Sequence, residues 1–234
     1  MREGQIVVTG ASRGIGASIA DELVRRGYAV VGLSRSGESA SGVAIACDMT
    51  DESAVSAAFA EVARRGPIAG LVNNAGIHLS SASAELTTNE YERVMSLNAT
   101  AVMVACREIH PYLKANGGSI INIGSFFDKL GVAKNLAYCA SKAAVGAMTR
   151  CLAVEWACDK ISVLGIAPGY IETDLNRSFL AKPSVQEWVA KRIPTGRAGA
   201  PREVARLVAA LLDENLTFLT GETIYIDGGQ GMNH

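Results

Sequence analysis

Gln5-Ile6-Val7-Val8-Thr9-Gly10-Ala11-Ser12-Arg13-Gly14-Ile15-Gly16 is the stretch that decides the fold. A short apolar run of β type stops at Gly10, and a helical period starts near Gly14 and continues to about Arg26. Glycines at such a junction permit a tight turn and let the backbone approach a pyrophosphate at the helix N-terminus. The spacing of Gly10, Gly14 and Gly16 is not the common G-x-G-x-x-G. A glycine-rich turn alone says little, because ordinary turns use glycine for its positive φ. Its position after a first strand, opening a strand–helix–strand unit, is what favours a nucleotide.

Working outward, the alternation continues. Ala29-Val30-Val31-Gly32-Leu33 and Val43-Ala44-Ile45-Ala46 read as buried strands, and Thr50 or Asp51 caps a helix from about Glu52 to Arg65. Ala69-Gly70-Leu71-Val72 is a fourth strand. Thr88 is read as the cap of a helix reaching about Leu97, with a longer one from near Ala99 to Asn116. Ser119–Ile123, Ile161–Ile166 and Thr223–Ile226 complete the strands. Asn135 or Leu136 opens a helix to about Cys158, and Arg202–Leu212 is helical. Near-continuous apolar strands alternating with helices predict an α/β fold: one Rossmann-type, doubly wound parallel sheet of about seven strands with helices on both faces. No linker or repeat divides residues 1–234, so a single domain is expected.

The chain of 234 residues is 49% hydrophobic and 19% charged, with a formal net charge of -1 and no long run of one sign. That balance argues against a nucleic-acid footprint or an anionic membrane surface. No apolar run approaches the roughly 18 residues of a membrane span. Met1-Arg2-Glu3-Gly4-Gln5 enters a strand almost at once, leaving no room for a signal peptide, and the protein is expected to be cytoplasmic. Cys47, Cys106, Cys139, Cys151 and Cys158 lack metal-type spacing and are read as buried or half-buried thiols in a reducing compartment. His78, His110 and His234 are too dispersed to suggest a metal site.

Two further patterns carry chemistry. In Ala137-Tyr138-Cys139-Ala140-Ser141-Lys142 a tyrosine and a lysine four apart share one helix face. An ammonium beside a phenol lowers its pKa toward useful proton exchange, and Ser125 can hydrogen-bond the oxygen whose charge changes. The spacing alone would equally fit an exposed helix. The second pattern ends the second strand, Leu33-Ser34-Arg35-Ser36. An NAD site usually has an acidic side chain about 20 residues past the glycines, where a carboxylate holds the ribose 2′-hydroxyl. Here Ser34 stands in that place and Arg35 follows, and Arg13 in the turn adds a second positive charge. A guanidinium binds the 2′-phosphate that a carboxylate would repel, so NADP(H) is expected ahead of NAD(H).

Taken together, Thr9–Gly16, Asn73-Asn74-Ala75-Gly76, Asn98, Ser125, Tyr138-x-x-x-Lys142 and Pro168-Gly169-Tyr170-Ile171-x-Thr173 resemble the classical short-chain dehydrogenase/reductases over essentially the whole length. Within that family the chain is similar to bacterial 3-oxoacyl-carrier-protein reductases, a natural candidate. The resemblance implies strand order 3-2-1-4-5-6-7. It implies that Tyr138 is the general acid or base, that Lys142 holds the nicotinamide ribose and lowers the Tyr138 pKa, that Ser125 orients the carbonyl or alcohol, and that Asn98 holds a water in a proton relay. It further implies cofactor contacts from Gly10, Ser12, Arg13, Gly14, Ile15, Gly16, Ser34, Arg35, Asp48 (adenine), Met49, Asn74, Ala75, Gly76, Pro168, Gly169, Ile171 and Thr173.

The implied activity is reversible hydride transfer between a nicotinamide and a ketone or secondary alcohol. The alternatives are an NAD-dependent alcohol dehydrogenase of the same family and a nucleotide-binding sensor without turnover. Ser125, Phe126, Phe127, Tyr138 and Tyr170 are expected at the substrate, and about 172–194 resembles a mobile lid. Leu130, Leu136, Phe179, Leu180 and Trp188 either line the pocket or pack into core or an interface; in the pocket, they imply a substrate with an apolar or aromatic part. Carrier-bound acyl substrates are expected to dock on arginines, yet the corresponding places read Asn116 and Asp159, with Lys114 and Lys160 nearby. A small free ketone or β-keto ester fits at least as well. The family is usually tetrameric or dimeric, which implies a homotetramer or homodimer with helices around Ala99–Lys114 and Ala143–Trp156 at its interface.

Overall fold

The computed structural model describes residues 4–174, 176–214 and 216–232. The readings of Met1–Glu3 and His234 fall outside the described residues, as does Leu175 of the expected lid segment. The strands are β1 (Gln5–Thr9), β2 (Ala29–Ser34), β3 (Val43–Ala46), β4 (Ile68–Asn73), β5 (Gly118–Ile123), β6 (Ile161–Pro168) and β7 (Thr223–Ile226). All pair in parallel in the order β3-β2-β1-β4-β5-β6-β7. The order expected from the family resemblance is the one observed. The chain reverses direction across the sheet between β1 and β4, which opens a crevice beyond their carboxyl ends, where open α/β sheets bind ligands.

Alternation along each strand supplies both faces. Val7, Val31, Leu71, Ile120 and Val163 pack under α2 (Glu52–Arg65), α4 (Ala101–Leu113) and α5 (Leu136–Trp156). Ile6, Val8, Val30, Val72, Ile121 and Ile166 pack under α1 (Gly14–Arg25) and α8 (Pro201–Glu214). Fully burying each such side chain is worth about 1.5–3 kcal/mol, which fixes the register that aligns all the strand ends on one edge. A third, small core of Leu180, Val189 and Ile193 holds α6 (Arg177–Leu180) and α7 (Pro183–Arg192).

Helix α2 keeps the expected bounds, and of the two caps offered Asp51 is the one used, accepting from the Ser53 and Ala54 amides. Several other boundaries differ from expectation. The cap of α3 (Thr88–Met95) is Thr87, which forms a reciprocal capping box with Glu90 that the reading centred on Thr88 missed by one residue. The expected break near Asn98 is no break: α3 runs into α4 through a wide π-type turn at Ser96–Thr100. Helix α4 stops at Leu113 and α5 at Trp156. Cys47 and Cys106 are buried and Cys139 half-buried, but Cys151 and Cys158 are exposed on or just after α5, because that face has no covering element. Burial pushes the thiols of Cys47 and Cys106 up to about 11 and about 12, so both stay protonated.

Candidate active site

The end of β1 is stapled to the end of β4. Thr9 Oγ1 accepts the amides of Asn74 and Ala75 at 3.0 Å each, and Asn74 Nδ2 donates to the carbonyls of Thr9 at 2.9 Å and Gly10 at 3.2 Å. The Asn74 side chain is thus spent on holding the glycine turn. Gly10 has φ +68, and a Cβ on Gly16 would lie 2.2 Å from the Gly10 carbonyl oxygen, so no side chain fits there. Gly14 has φ +59, and a Cβ on it would meet only Thr173 Cγ2 at 3.7 Å. Arg13 is the N-cap of α1 and makes no side-chain cap bond, so the amides of the first turn are not satisfied from their own cap. Ser12, Gly14 and Ile15 are half-buried around this opening and Arg13 is exposed. Open space over an uncapped helix N-terminus, closed on the far side by Thr173, fits a pyrophosphate.

At the end of β2, Ser34 is buried and its hydroxyl is committed locally. It donates to Glu38 O at 2.7 Å and accepts the Glu38 amide at 3.0 Å. Arg35 is exposed, and its charge helps hold the Asp48 carboxyl below the usual carboxylate value, behind the larger effect of hydrogen bonds from Thr50. Asp48 Oδ1 accepts the Thr50 amide at 2.9 Å and its hydroxyl at 2.7 Å, while Met49 is buried.

The remaining residues converge beyond β4, β5 and α5. Asn98, fully buried in the wide turn, accepts the Ile77 amide at 2.8 Å and donates to Ile77 O at 2.8 Å and Ser141 Oγ at 3.2 Å. Ser141 in turn donates to Tyr138 O at 2.8 Å. A Cβ on Gly76 would lie 3.2 Å from Asn98 Oδ1 and 3.8 Å from Lys142 Nζ, which puts those side chains around one point. Lys142 is buried and donates to Ile123 O at 2.8 Å; desolvation pushes its ammonium down to about 8. Its Nζ is 5.8 Å from the Tyr138 ring centroid.

Burial pushes the Tyr138 phenol above its ordinary value, with a hydrogen bond from Ser125 pulling the other way. The expected lowering by Lys142 is therefore not what this geometry gives. The ammonium points at a backbone carbonyl, and removing the phenol from water costs the phenolate more than nearby charge returns. A phenol held protonated is a proton donor, the form carbonyl reduction requires.

Phe127 and His78 meet the Tyr138 ring edge-on at centroid distances of 5.9 and 4.9 Å. Asn135 donates to Ala133 O at 2.8 Å, so its Oδ1 faces the imidazole and His78 Nε2 carries the hydrogen of that bond. The preceding residue, Lys134, takes a left-handed φ of +66, and its carbonyl accepts the Ser81 amide at 2.9 Å, tying two loops together at the mouth. His78 and Asn135 were not read from the sequence as site residues; the position of His78 just past the end of β4 was the available signal. Asn122 was also missed. Its amide bridges Asn73 Nδ2 and Thr149 Oγ1 at 2.9 Å each beneath the site, and an amide inside the apolar run Ile120–Ile123 marked it.

Beyond β6, Pro168 is buried, and Tyr170 O accepts the Gly199 amide at 2.8 Å while Glu172 N donates to Gly199 O at 2.8 Å, anchoring the segment that follows. A Cβ on Gly169 would lie 2.7 Å from Asp227 Cα, so that loop hugs the end of β7. Ile171 is buried, and Thr173 lies over Gly14. Phe126 and Phe127 are buried beneath Tyr170, with Leu180 in the small lid core, whereas Leu136, Phe179 and Trp188 are exposed. No group of three or more metal-ligating side chains occurs among the described residues, and no helix among them is long and apolar enough to cross a membrane.

A glycine-turn parallel sheet carrying Asn98, Ser125, Tyr138 and Lys142 in one place defines a class of oxidoreductase architecture. A family model described as enoyl-(acyl carrier protein) reductase matches residues 10–231. The 3-oxoacyl-[acyl-carrier-protein] reductase MabA of Mycobacterium tuberculosis is 36% identical over 232 residues, covering 98% of this chain and 93% of that one. The glucose 1-dehydrogenase of Gluconobacter oxydans is 36% identical over 241 residues, covering 96% and 91%. A solved gluconate 5-dehydrogenase from Burkholderia cenocepacia, in complex with NADP and tartrate, superposes with a TM-score of 0.93 at 31% identity, covering 100% of this chain and 97% of that one. The chain belongs to the short-chain dehydrogenase/reductase family and is a nicotinamide-dependent oxidoreductase.

Proposed function

We propose that this oxidoreductase reduces a ketone to a secondary alcohol with NADPH, and runs in reverse with NADP, Tyr138 handling the proton. The observation that carries the reading is the convergence of Ser125, Tyr138, Lys142 and Asn98 at the ends of β4 and β5, with the phenol held protonated. The nicotinamide supplies the hydride. Ser125 orients the carbonyl oxygen by hydrogen bonding, and Tyr138 gives that oxygen its proton. Lys142 spends one of its three donors on Ile123 O and offers the rest to the nicotinamide ribose. The amide of Asn98 is committed to Ile77 and Ser141, so its contribution is to position the loop after β4 and the start of α5 around the site.

Residues Gly10, Ser12–Gly16, Asn74–Gly76 and Thr173 would frame the diphosphate and ribose, Asp48 and Met49 the adenine, and Pro168, Gly169 and Ile171 the carboxamide. Exposed Arg35 and Arg13, with no carboxylate at Ser34, favour the 2′-phosphate. NAD(H) is the second reading, favoured by the pull of Asp48 on Arg35. Residues 172–194 act as the lid, and the chain functions as one domain. Asp159 is paired with His110 at 2.9 Å and with Lys114 at 3.9 Å, an arrangement that presents no free basic pair to an acidic carrier, so a small ketone is preferred to a carrier-bound acyl group. Exposed Met103 and Val154 on α4 and α5 suit a homotetramer or homodimer, which light scattering tests. A cytoplasmic location follows from the NADPH reading. The deciding assay follows NADPH and NADH oxidation against a panel of ketones; no turnover with any ketone and either cofactor would mean a nucleotide-binding sensor instead.

A further inference from the structure

Trp188 and Phe179 remain 43% and 53% exposed, although both sit on elements packed around the small lid core. Between them lies a cavity of about 360 Å³ lined by Tyr170, Phe179, Leu180, Ser184, Val185 and Trp188. None of these is charged, and the side-chain polar groups are the Tyr170 and Ser184 hydroxyls and the Trp188 indole N–H. The floor is fixed, because buried Leu180 belongs to the lid core and Tyr170 is anchored through its carbonyl to Gly199.

A run of ring contacts leads from the cavity wall toward the reacting centre. Trp188 meets Tyr170 edge-on at 5.2 Å, Tyr170 meets Phe127 at 6.2 Å, and Phe127 meets Tyr138 at 5.9 Å. A group beside the carbonyl that leaves Tyr138 in this direction passes only aromatic and aliphatic surface. The several hydroxyls of a sugar would lose water for at most three protein partners, whereas an apolar ring would cover the two exposed aromatics.

Resting on the ketone-reductase reading, we propose that the substrate bears a ring-sized apolar or aromatic group, and that Trp188 and Tyr170 are its specificity-determining contacts. The occupant is thus a hydrophobic ketone rather than a polyol of the kind named for several relatives.

The test titrates the intact protein with cyclohexyl methyl ketone, butanone and D-gluconate. One readout is tryptophan emission without cofactor, the other turnover of the nicotinamide: NADPH oxidation with the two ketones, NADP reduction with gluconate, which is an alcohol. Trp156, stacked on His110 at 4.6 Å, is the internal reference. The expected result is a saturable change of emission with the cyclohexyl ketone alone, lost in Trp188→Phe. The expected kcat/KM is at least about tenfold higher for the cyclohexyl ketone than for butanone, with Trp188→Ala shrinking that ratio about tenfold. Equal preference for butanone or gluconate, or an unchanged ratio in Trp188→Ala, overturns the inference, and butanone turnover reports that the variant is folded. Saturable emission change without turnover of either ketone would support the cavity assignment while removing the reductase reading.

Discussion

The glycine turn after β1 meets the segment leading into α6 and α7 at Thr173, whose Cγ2 a Cβ on Gly14 would touch at 3.7 Å. They are built to different tolerances. Around the turn, backbone meets backbone: Gly16 against the Gly10 carbonyl, Asn74 against two carbonyls, Thr9 against two amides. The α6–α7 segment, by contrast, rests on three buried side chains and leaves large aromatics in water. A fixed half suits a cofactor whose diphosphate never varies. A loosely held half suits a substrate that must enter and leave.

Tyr138→Phe, at the seam between the halves, has the largest expected effect. It should lower kcat by about 10²–10⁴-fold while leaving NADPH affinity within about twofold, measured by steady-state kinetics and fluorescence titration. Near-normal turnover would remove Tyr138 from the proton transfer. Gly16→Ala should destabilise the protein by about 1–3 kcal/mol in urea denaturation, because the new methyl group collides with a carbonyl that cannot move away. Phe179→Ser in the lid should change stability by no more than about 0.5 kcal/mol. Equal losses in these two variants would break the contrast between the halves.

Arg35→Asp should shift the NADPH/NADH preference about tenfold toward NADH, since a charge-assisted contact is lost and a repulsion gained. An unchanged ratio would show that this arginine points into solvent when cofactor is bound. The remaining effect concerns pH. Lys142 titrates at about 8 in the folded chain against 10.5 unfolded, so in that window the unfolded state binds more protons and folding gains stability as pH rises. The thermal midpoints of wild type and Lys142→Met should diverge accordingly between pH 8 and 10.5, with the wild type gaining. Parallel curves would mean that the lysine stays charged when buried.

Legibility followed the same division. The central strands could be read almost to the residue because they are apolar on both faces, which leaves runs such as Val30–Leu33. The edge strand β3, read as a buried strand, has Ile45 alone of its four residues buried, because among the described residues no strand pairs with its outer side. Tyr138, Lys142, Ser125 and Asn98 were nameable because motif spacing carries them. What spacing does not carry is direction. That Lys142 aims at Ile123 O, that Ser34 folds back on Glu38, and that Asn74 serves the turn are outcomes of three-dimensional hydrogen bonding. His78 was invisible for the same reason, since its meaning depends on Asn135, far off in sequence and held by a left-handed Lys134. In the lid, exposed and buried aromatics look alike in a string of letters.

The wide turn at Ser96–Thr100 has a consequence for heredity. It holds one residue more than a regular helix needs, and each residue of an α-helix turns the chain by about 100°. Deleting one codon there would let α3 and α4 fuse into an unbroken, well-bonded helix, while swinging Asn98 or its neighbours away from Ile77 and Ser141. The helix would gain a regular turn while the Ile77 backbone and Ser141 lost their buried partner, so the length of this one segment sets the geometry of the site.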